Sequence, residues 1–334
     1  MAILVVGGAG YIGSHTVREL EKAGQEVWVF DDLSLGHAQS VRSDRLIRGE
    51  LLNRSALDEA LRGRSIDAVM HFAAFTSVPE SVADPARYYR NNVVGTLNLL
   101  DAMRDAGVRR IVFSSTAAVY GVPDVVPIAE DAPTRPINPY GVTKLTIERA
   151  LADYAHAYGF GYTVLRYFNA CGASSDATIG EDHTPETHLI PIILQVALGQ
   201  RESVSVFGTD YPTPDGTCIR DYIHVADIAD AHVAAALALA AGPGGAADPL
   251  PAVINLGSGA GSSVREIMRA VADVTGIAFE PEVAPRRAGD PARIVAGAGL
   301  AGSALGWSAR RGLREMVASG WAAHRGVSQG AEGR

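Results

Sequence analysis

Cysteine is almost absent: Cys171 and Cys218 are the only two in 334 residues. Two isolated thiols make neither a disulfide framework nor a zinc site, and they fit a reducing compartment. An excess of positive charge is lacking too. Lys and Arg number 29 against 37 Asp and Glu, a net charge of −8, so no basic face of the kind nucleic-acid binding requires is expected. An anionic ligand must then be held by a few placed arginines. Long apolar runs are also missing. The most apolar helical stretch, Val233–Ala241, is too short to cross a bilayer. The chain opens directly on the strand-like run Ala2–Val6 with no basic segment before it, which predicts no signal peptide. A cytoplasmic protein without membrane or nucleic-acid partners is expected, and no metal ligands are apparent.

What is present is ordinary globular composition, 47% hydrophobic and 20% charged, with length enough for one large domain and a smaller one. Strand-like runs alternate with helical patterns. Ile3–Val6, Glu26–Phe30, Leu46–Gly49, Ala68–Phe72, Arg110–Ser114 and Tyr162–Phe168 read as strands. Ser14–Ala23, Pro85–Ala106 and Pro139–Tyr158 read as helices, each followed by glycine. This alternation predicts an α/β fold built on a doubly wound parallel sheet. After Gly172 the pattern becomes irregular. Ser174–His188 is turn-rich, while Arg220–Val225 and Val253–Leu256 look like strands returning to the large sheet. Ser263–Thr275 reads as a helix. The smaller α/β domain is therefore discontinuous: residues 1–172 plus about 222–257 form the first domain and 173–221 plus 258–325 the second, with a frayed tail over 326–334.

Two motifs carry chemistry. Gly7-Gly-Ala-Gly10-Tyr11-Ile12-Gly13 follows a strand and opens a helix. Glycines there allow a tight turn and let backbone N–H groups approach a dinucleotide pyrophosphate. Asp31, ending the next strand, suits the adenosine ribose hydroxyls, and with Asp32 beside it and no adjacent arginine NAD is favoured over NADP. Glu50-Leu51 ends the third strand and can reach the adenine. The second motif is Tyr140-Gly-Val-Thr-Lys144. Residues four apart share a helix face. A phenol is too weak a base near neutrality, so Lys144 and the nicotinamide charge are expected to lower its pKa. Thr116, ending a central strand, can hydrogen-bond the same reacting oxygen. His71 and His224 sit in apolar strands and read as structural.

With these motifs the chain resembles the extended short-chain dehydrogenase/reductase family, in its UDP-hexose epimerase branch. The resemblance runs nearly full length, through His71–Ala74, Tyr88–Thr96, Phe113–Gly121, Asn138–Gly141, Arg166–Asn169, Phe207–Val225, Asn255–Gly257 and Arg286–Asp290. It implies NAD as cofactor and reversible C4 epimerisation of a UDP-sugar, with Tyr140, Lys144 and Thr116 catalytic. It also implies that Phe72, Ala73, Ala74, Thr76, Asn91 and Phe168 line the NAD site. Asn169, His188, Leu189, Ser205, Phe207 and Arg220 fall where the family binds the UDP-sugar, as do Arg287, Asp290 and Ile294. On residue chemistry Arg220 and Arg287 suit a diphosphate and Phe207 a uracil; the lesser alternatives are an Arg220–Asp221 ion pair and a core place for Phe207. The dehydratases of the family need acids beside the catalytic Ser/Thr, whereas Thr116 is followed by Ala117-Ala118.

Departures from the family pattern are Thr76 for lysine, Pro79 for glycine, Glu50 for aspartate, His188 for asparagine and the run Ala296–Ala301. Thr76 predicts weaker retention of NAD. The resemblance further implies a homodimer through helices 85–106 and 139–158, with Leu97, Leu100, Met103, Leu151 and Tyr154 as surplus apolar residues.

Overall fold

The computed structural model describes residues 1–183, 185–241, 250–287 and 290–332. Its first half alternates as the sequence predicts: β1 (Ala2–Val6), α1 (Tyr11–Lys22), β2 (Glu26–Asp31), β3 (Leu46–Arg48), α2 (Arg54–Leu61), β4 (Ala68–His71), α3 (Val78–Ala83), α4 (Pro85–Tyr88), a π-helical turn over Tyr89–Val94, α5 (Gly95–Ala106), β5 (Arg110–Thr116), α6 (Pro139–Tyr158) and β6 (Gly161–Tyr167). The second half runs β7 (Asn169–Cys171), α7 (Leu189–Ala197), β8 (Ser205–Phe207), β9 (Ile219–Arg220), β10 (Tyr222–His224), α8 (Val225–Ala241), β11 (Val253–Leu256), β12 (Ser262–Ser263), α9 (Val264–Thr275), β13 (Glu282–Ala284), β14 (Arg293–Ile294), α10 (Gly299–Leu305) and α11 (Leu313–Glu332).

Seven strands make one parallel sheet in the order β11-β6-β5-β4-β1-β2-β3. β1 is buried at every position, because helices cover both faces of such a sheet. One core packs α2, α5 and α6 against it, and the other packs α1, α8 and α10. The order reverses between β1 and β4, the switch point at which doubly wound sheets take ligands. A third apolar core lies apart from the sheet, built by Ile193 and Leu194 of α7, Ile267 and Val271 of α9 and Val317 of α11.

Three expectations are corrected. Pro85–Ala106 is not one α-helix, because its middle is the π turn over Tyr89–Val94. Asn92 in that turn points inward, where its side chain holds both Phe75 N (2.9 Å) and Phe75 O (3.1 Å). The segment 220–225 does not join the large sheet. β11 already occupies the edge of β6, so β10 pairs with β7, and β9 with β12 and β14. Leu100, Met103 and Leu151 are fully buried in the chain's own core, leaving only Leu97 and Tyr154 partly accessible among the expected surplus residues. The unusual run 296–301 starts α10, whose Ala301 packs beside Trp307 on the sheet core, and Trp307 Nε1 donates to Asp227 O at 2.9 Å. The expected frayed tail falls on the end of α11, which reaches Glu332, and on two residues outside the described ones. No helix among the described residues is long and apolar enough to cross a membrane.

Burial lowers the pKa of His15, His224 and His232 to about 4 and that of His71 to about 3. The unfolded chain therefore binds protons below its histidine pKa near 6.5 while the fold stays neutral, so this stability is complete above about pH 6.5 and is lost as pH falls toward 4. We expect the melting temperature to drop by several degrees or more between about pH 7 and pH 5. A flat profile over that interval by scanning calorimetry would contradict it.

Candidate active site

The glycine turn is shaped by close approach. Gly7 has φ +81°, and a Cβ on it would lie 2.4 Å from Ala73 N. A Cβ on Gly13 would lie 2.2 Å from Gly7 O. Gly10, where a Cβ would meet Gly7 O at an ordinary 3.5 Å, is the N-cap of α1, and Tyr11 and Ile12 begin the first turn. No side chain caps α1 and no acid stands in that turn, so its free N–H groups fit a pyrophosphate. Asp31 ends β2 and accepts hydrogen bonds from Ala9 N and Leu33 N, each at 2.9 Å. Burial raises its carboxyl pKa.

Beside it, a cleft of about 390 Å³ is lined by Asp32, Glu50, Phe75, Arg87, Arg90 and Asn91. The fold thus brings two arginines to a place whose sequence neighbours include none. Arg87 pairs with Glu80 and stacks on the Phe75 ring at 4.1 Å. Leu51 faces the other way, into the core against Gly95, so only its backbone is left for a cofactor. Phe72 N and Ala73 N both donate to Val6 O at the floor. Ala74 is half-buried, Thr76 is exposed, and Asn91 donates to Asn92 Oδ1 at 3.0 Å.

Thr116 closes β5, and α6 brings Tyr140 and Lys144 to it. Asn138 caps α6 through Gly141 N at 2.8 Å, with Pro139 at its first position. Burial pushes the Tyr140 phenol pKa above its ordinary value, while a hydrogen bond from Thr116 pulls the other way. Lys144 is buried, donates to Ser114 O at 2.8 Å and lies 4.8 Å from the Phe113 ring centre. Burial lowers its ammonium pKa to about 7 against the pull of Glu148. The expected effect of Lys144 on Tyr140 is therefore corrected. Helical spacing puts both on one face, but the ammonium reaches back to a β5 carbonyl.

Sequence reading missed the network beneath. Arg166 holds Glu148 with two bonds, Nε at 3.1 Å and Nη2 at 2.5 Å. Ser115 Oγ donates to the same carboxylate at 2.5 Å, and Arg166 Nη1 donates to Tyr120 OH at 2.9 Å. The available signal was Glu148 itself, one further turn along the Tyr140–Lys144 face. His71 and His224 are structural, bonded to Thr96 and Ser319.

Beyond the sheet, the Arg287 guanidinium stacks 3.9 Å over the ring of Phe207. Phe207 and Ser205 lie on β8, paired with β13. Arg220 pairs with Asp290, not Asp221. Asp221 is buried and accepts from Ser258 N, Gly259 N and Ala296 N. Ile294 is in register with Arg220 and packs against the cluster containing Phe168, Tyr120 and Ile128. Asn169 on β7 donates its N–H to Asp221 O at 3.0 Å. Leu189 starts α7 and packs on the third core. His188 is half-exposed, and its Nδ1 lies 2.8 Å from Glu181 and 3.2 Å from Glu186. Burial lowers its pKa, but the two carboxylates outweigh that and raise it to about 10.

Residues 3–257 match the model of the NAD dependent epimerase/dehydratase family. The chain belongs to this family. Family members similar to it over almost their whole length include a UDP-glucose 4-epimerase from Halalkalibacterium halodurans, 50% identical across 97% of this chain and 96% of the relative. A solved UDP-glucose 4-epimerase from Brucella ovis in complex with NAD has a TM-score of 0.91 at 47% identity, covering 96% of this chain and 97% of that one. Another, from Stenotrophomonas maltophila with NAD and formylated UDP-arabinopyranose bound, has a TM-score of 0.93 at 42% identity, covering 99% of each chain. NAD is the cofactor of the family, and the uncapped α1 N-terminus and Asp31 fit it.

Proposed function

We propose that this protein interconverts UDP-glucose and UDP-galactose by inverting C4 through a 4-keto sugar. The observation that carries this reading is the meeting of Tyr140 and Thr116 at the end of β5, two strands from the glycine turn, in a chain that also holds Arg220 and Arg287. Tyr140 takes the O4 proton and later returns it. Thr116 hydrogen-bonds that hydroxyl and fixes its direction. Lys144, anchored on Ser114 O, presents its ammonium to the nicotinamide ribose. NAD, when bound, accepts the C4 hydride and gives it back. Arg220 and Arg287 hold the diphosphate, for which a planar guanidinium is suited, and Phe207 packs on the uracil. Residues 1–172 with 222–257 hold NAD, and 173–221 with 258–325 hold the UDP-sugar, apart from α10, which belongs to the sheet. Incubation with UDP-glucose, read by NMR and mass spectrometry, should yield UDP-galactose at unchanged mass. Loss of water from the sugar would overturn the reading.

Ile294 is smaller than a tyrosine and leaves room beside C2. We expect turnover of UDP-N-acetylglucosamine as well as UDP-glucose, little of UDP-glucuronate, and a selective loss of the N-acetyl substrate in Ile294→Tyr. An unchanged ratio of the two activities would remove Ile294 as the gate. Exposed Thr76, where the family pattern has lysine, lets NAD leave. Full NAD stoichiometry after dialysis would count against this. The protein works in the cytoplasm as a homodimer, docked through Tyr89 and Val94 beside α5 and Tyr158 of α6, which are 42%, 47% and 45% exposed. Closed two-fold pairs are the commonest oligomer. Light scattering at micromolar concentration should give twice 35.0 kDa, and a strictly monomeric mass would refute the dimer.

A further inference from the structure

We propose that Glu181, His183, Glu186 and His188, on the loop between β7 and α7, bind one divalent transition-metal ion, and that zinc is the ion that fits. One ligand atom from each residue lies within 4.8 Å of all the others. His188 Nδ1 stands 2.8 Å from Glu181 Oε1 and 3.2 Å from Glu186 Oε1, and His183 Nδ1 stands 3.5 Å from each carboxylate. A tetrahedral zinc with bonds of about 2.0–2.2 Å spaces its ligand atoms roughly 3.3–3.6 Å apart. The four atoms need only small movements to reach that arrangement.

Two further observations point to a ligand. Both glutamate side chains are only 4% exposed, and buried carboxylates need a compensating positive charge. In this structure the His188 imidazole supplies part of that charge, and a dication held by the same four side chains would take its place, displacing the His188 proton. The Nδ1 atom of His183 is buried with no hydrogen-bond partner. It faces both carboxylates at 3.5 Å, at the edge of hydrogen-bond reach and close to the ligand spacing of a shared ion. Two imidazoles with two carboxylates favour zinc over magnesium or calcium, which prefer oxygen alone. Four protein ligands close the coordination sphere, as in structural zinc sites, while the half-exposed His188 ring leaves a way in.

The surroundings give the ion a task. Asp182 is taken up by His37 at 3.2 Å. The Tyr11 ring, at the first turn of α1, stands edge-on to His183 at 6.3 Å. The ion would clip the 181–188 loop beside the dinucleotide turn and the start of α7. This site shares no residue with the proton-transfer machinery, so it stands or falls independently of the epimerase reading.

The test uses the full-length chain, stripped with a chelator and titrated with zinc chloride against a chromogenic competitor. One zinc per chain, bound more tightly than micromolar and raising the melting temperature, is expected. X-ray absorption should show two imidazole nitrogens and two oxygens. His183→Ala and Glu186→Gln should each weaken binding by about 100-fold or more, while His156→Ala on the exposed face of α6 should bind as wild type. Circular dichroism and NAD binding establish that each variant folds, and His183→Gln replaces His183→Ala if it does not. No zinc bound below micromolar, or equal binding by a folded His183 variant, would overturn the site.

Discussion

Tyr140→Phe should lower kcat by about 10²–10⁴-fold, the usual contribution of a positioned general acid–base group, and leave UDP-sugar affinity nearly unchanged. The phenol ring is almost wholly buried on α6, so phenylalanine keeps its packing and removes only the hydroxyl. Thr116 remains, but its own hydroxyl is far too weak a base to replace the phenol. Steady-state turnover of UDP-galactose, together with calorimetric titration of UDP, separates the two effects. Near-normal turnover would show that another group moves the O4 proton.

Arg166→Leu should destabilise the fold by about 3–5 kcal/mol, because it leaves the buried Glu148 carboxylate uncompensated. Arg166 and Glu148 side chains are each 6% exposed and joined by two hydrogen bonds. Water cannot stand in for the lost guanidinium, and Ser115 and Tyr120 lose order along with it. Combining Arg166→Leu with Glu148→Leu should recover much of the loss, since paired apolar replacements of buried ions are often neutral. Urea midpoints of the single and double variants measure this. Equal destabilisation in both would mean that packing, and not charge, dominates the site.

The alternation of strands and helices was legible because each period is local. Asn138-Pro139 and Gly159 mark both ends of α6 by capping chemistry that needs no tertiary partner, and the glycine turn is legible for the same reason. Three kinds of feature were not. The π turn depends on Asn92 reaching Phe75, a contact that spacing alone does not reveal. The partner of Arg220 is Asp290, seventy residues away in sequence, and only the pairing of β9 with β14 brings them near. The pKa balance at Tyr140 turns on burial and on where the Lys144 chain bends, and neither is written in a four-residue spacing. The grouping of Glu181, His183, Glu186 and His188 was not legible either, because it depends on how the stretch between β7 and α7 is folded.

The position of β11 has a consequence for biosynthesis. Val253–Leu256 supplies the last strand of the main sheet, pairing with Val164–Tyr167 of β6. A nascent chain that has emerged only as far as α8 therefore carries an open parallel edge on β6, with apolar Val164 and Leu165 along it. Unpaired edges of this kind invite association with other chains, and long-range parallel pairing closes slowly. Completion of the sheet must wait for residue 256 to leave the ribosome, so the first domain cannot finish folding until residues 173–221 of the second have already emerged. Chains truncated before Val253 should accumulate as aggregates instead of a soluble dinucleotide-binding fragment.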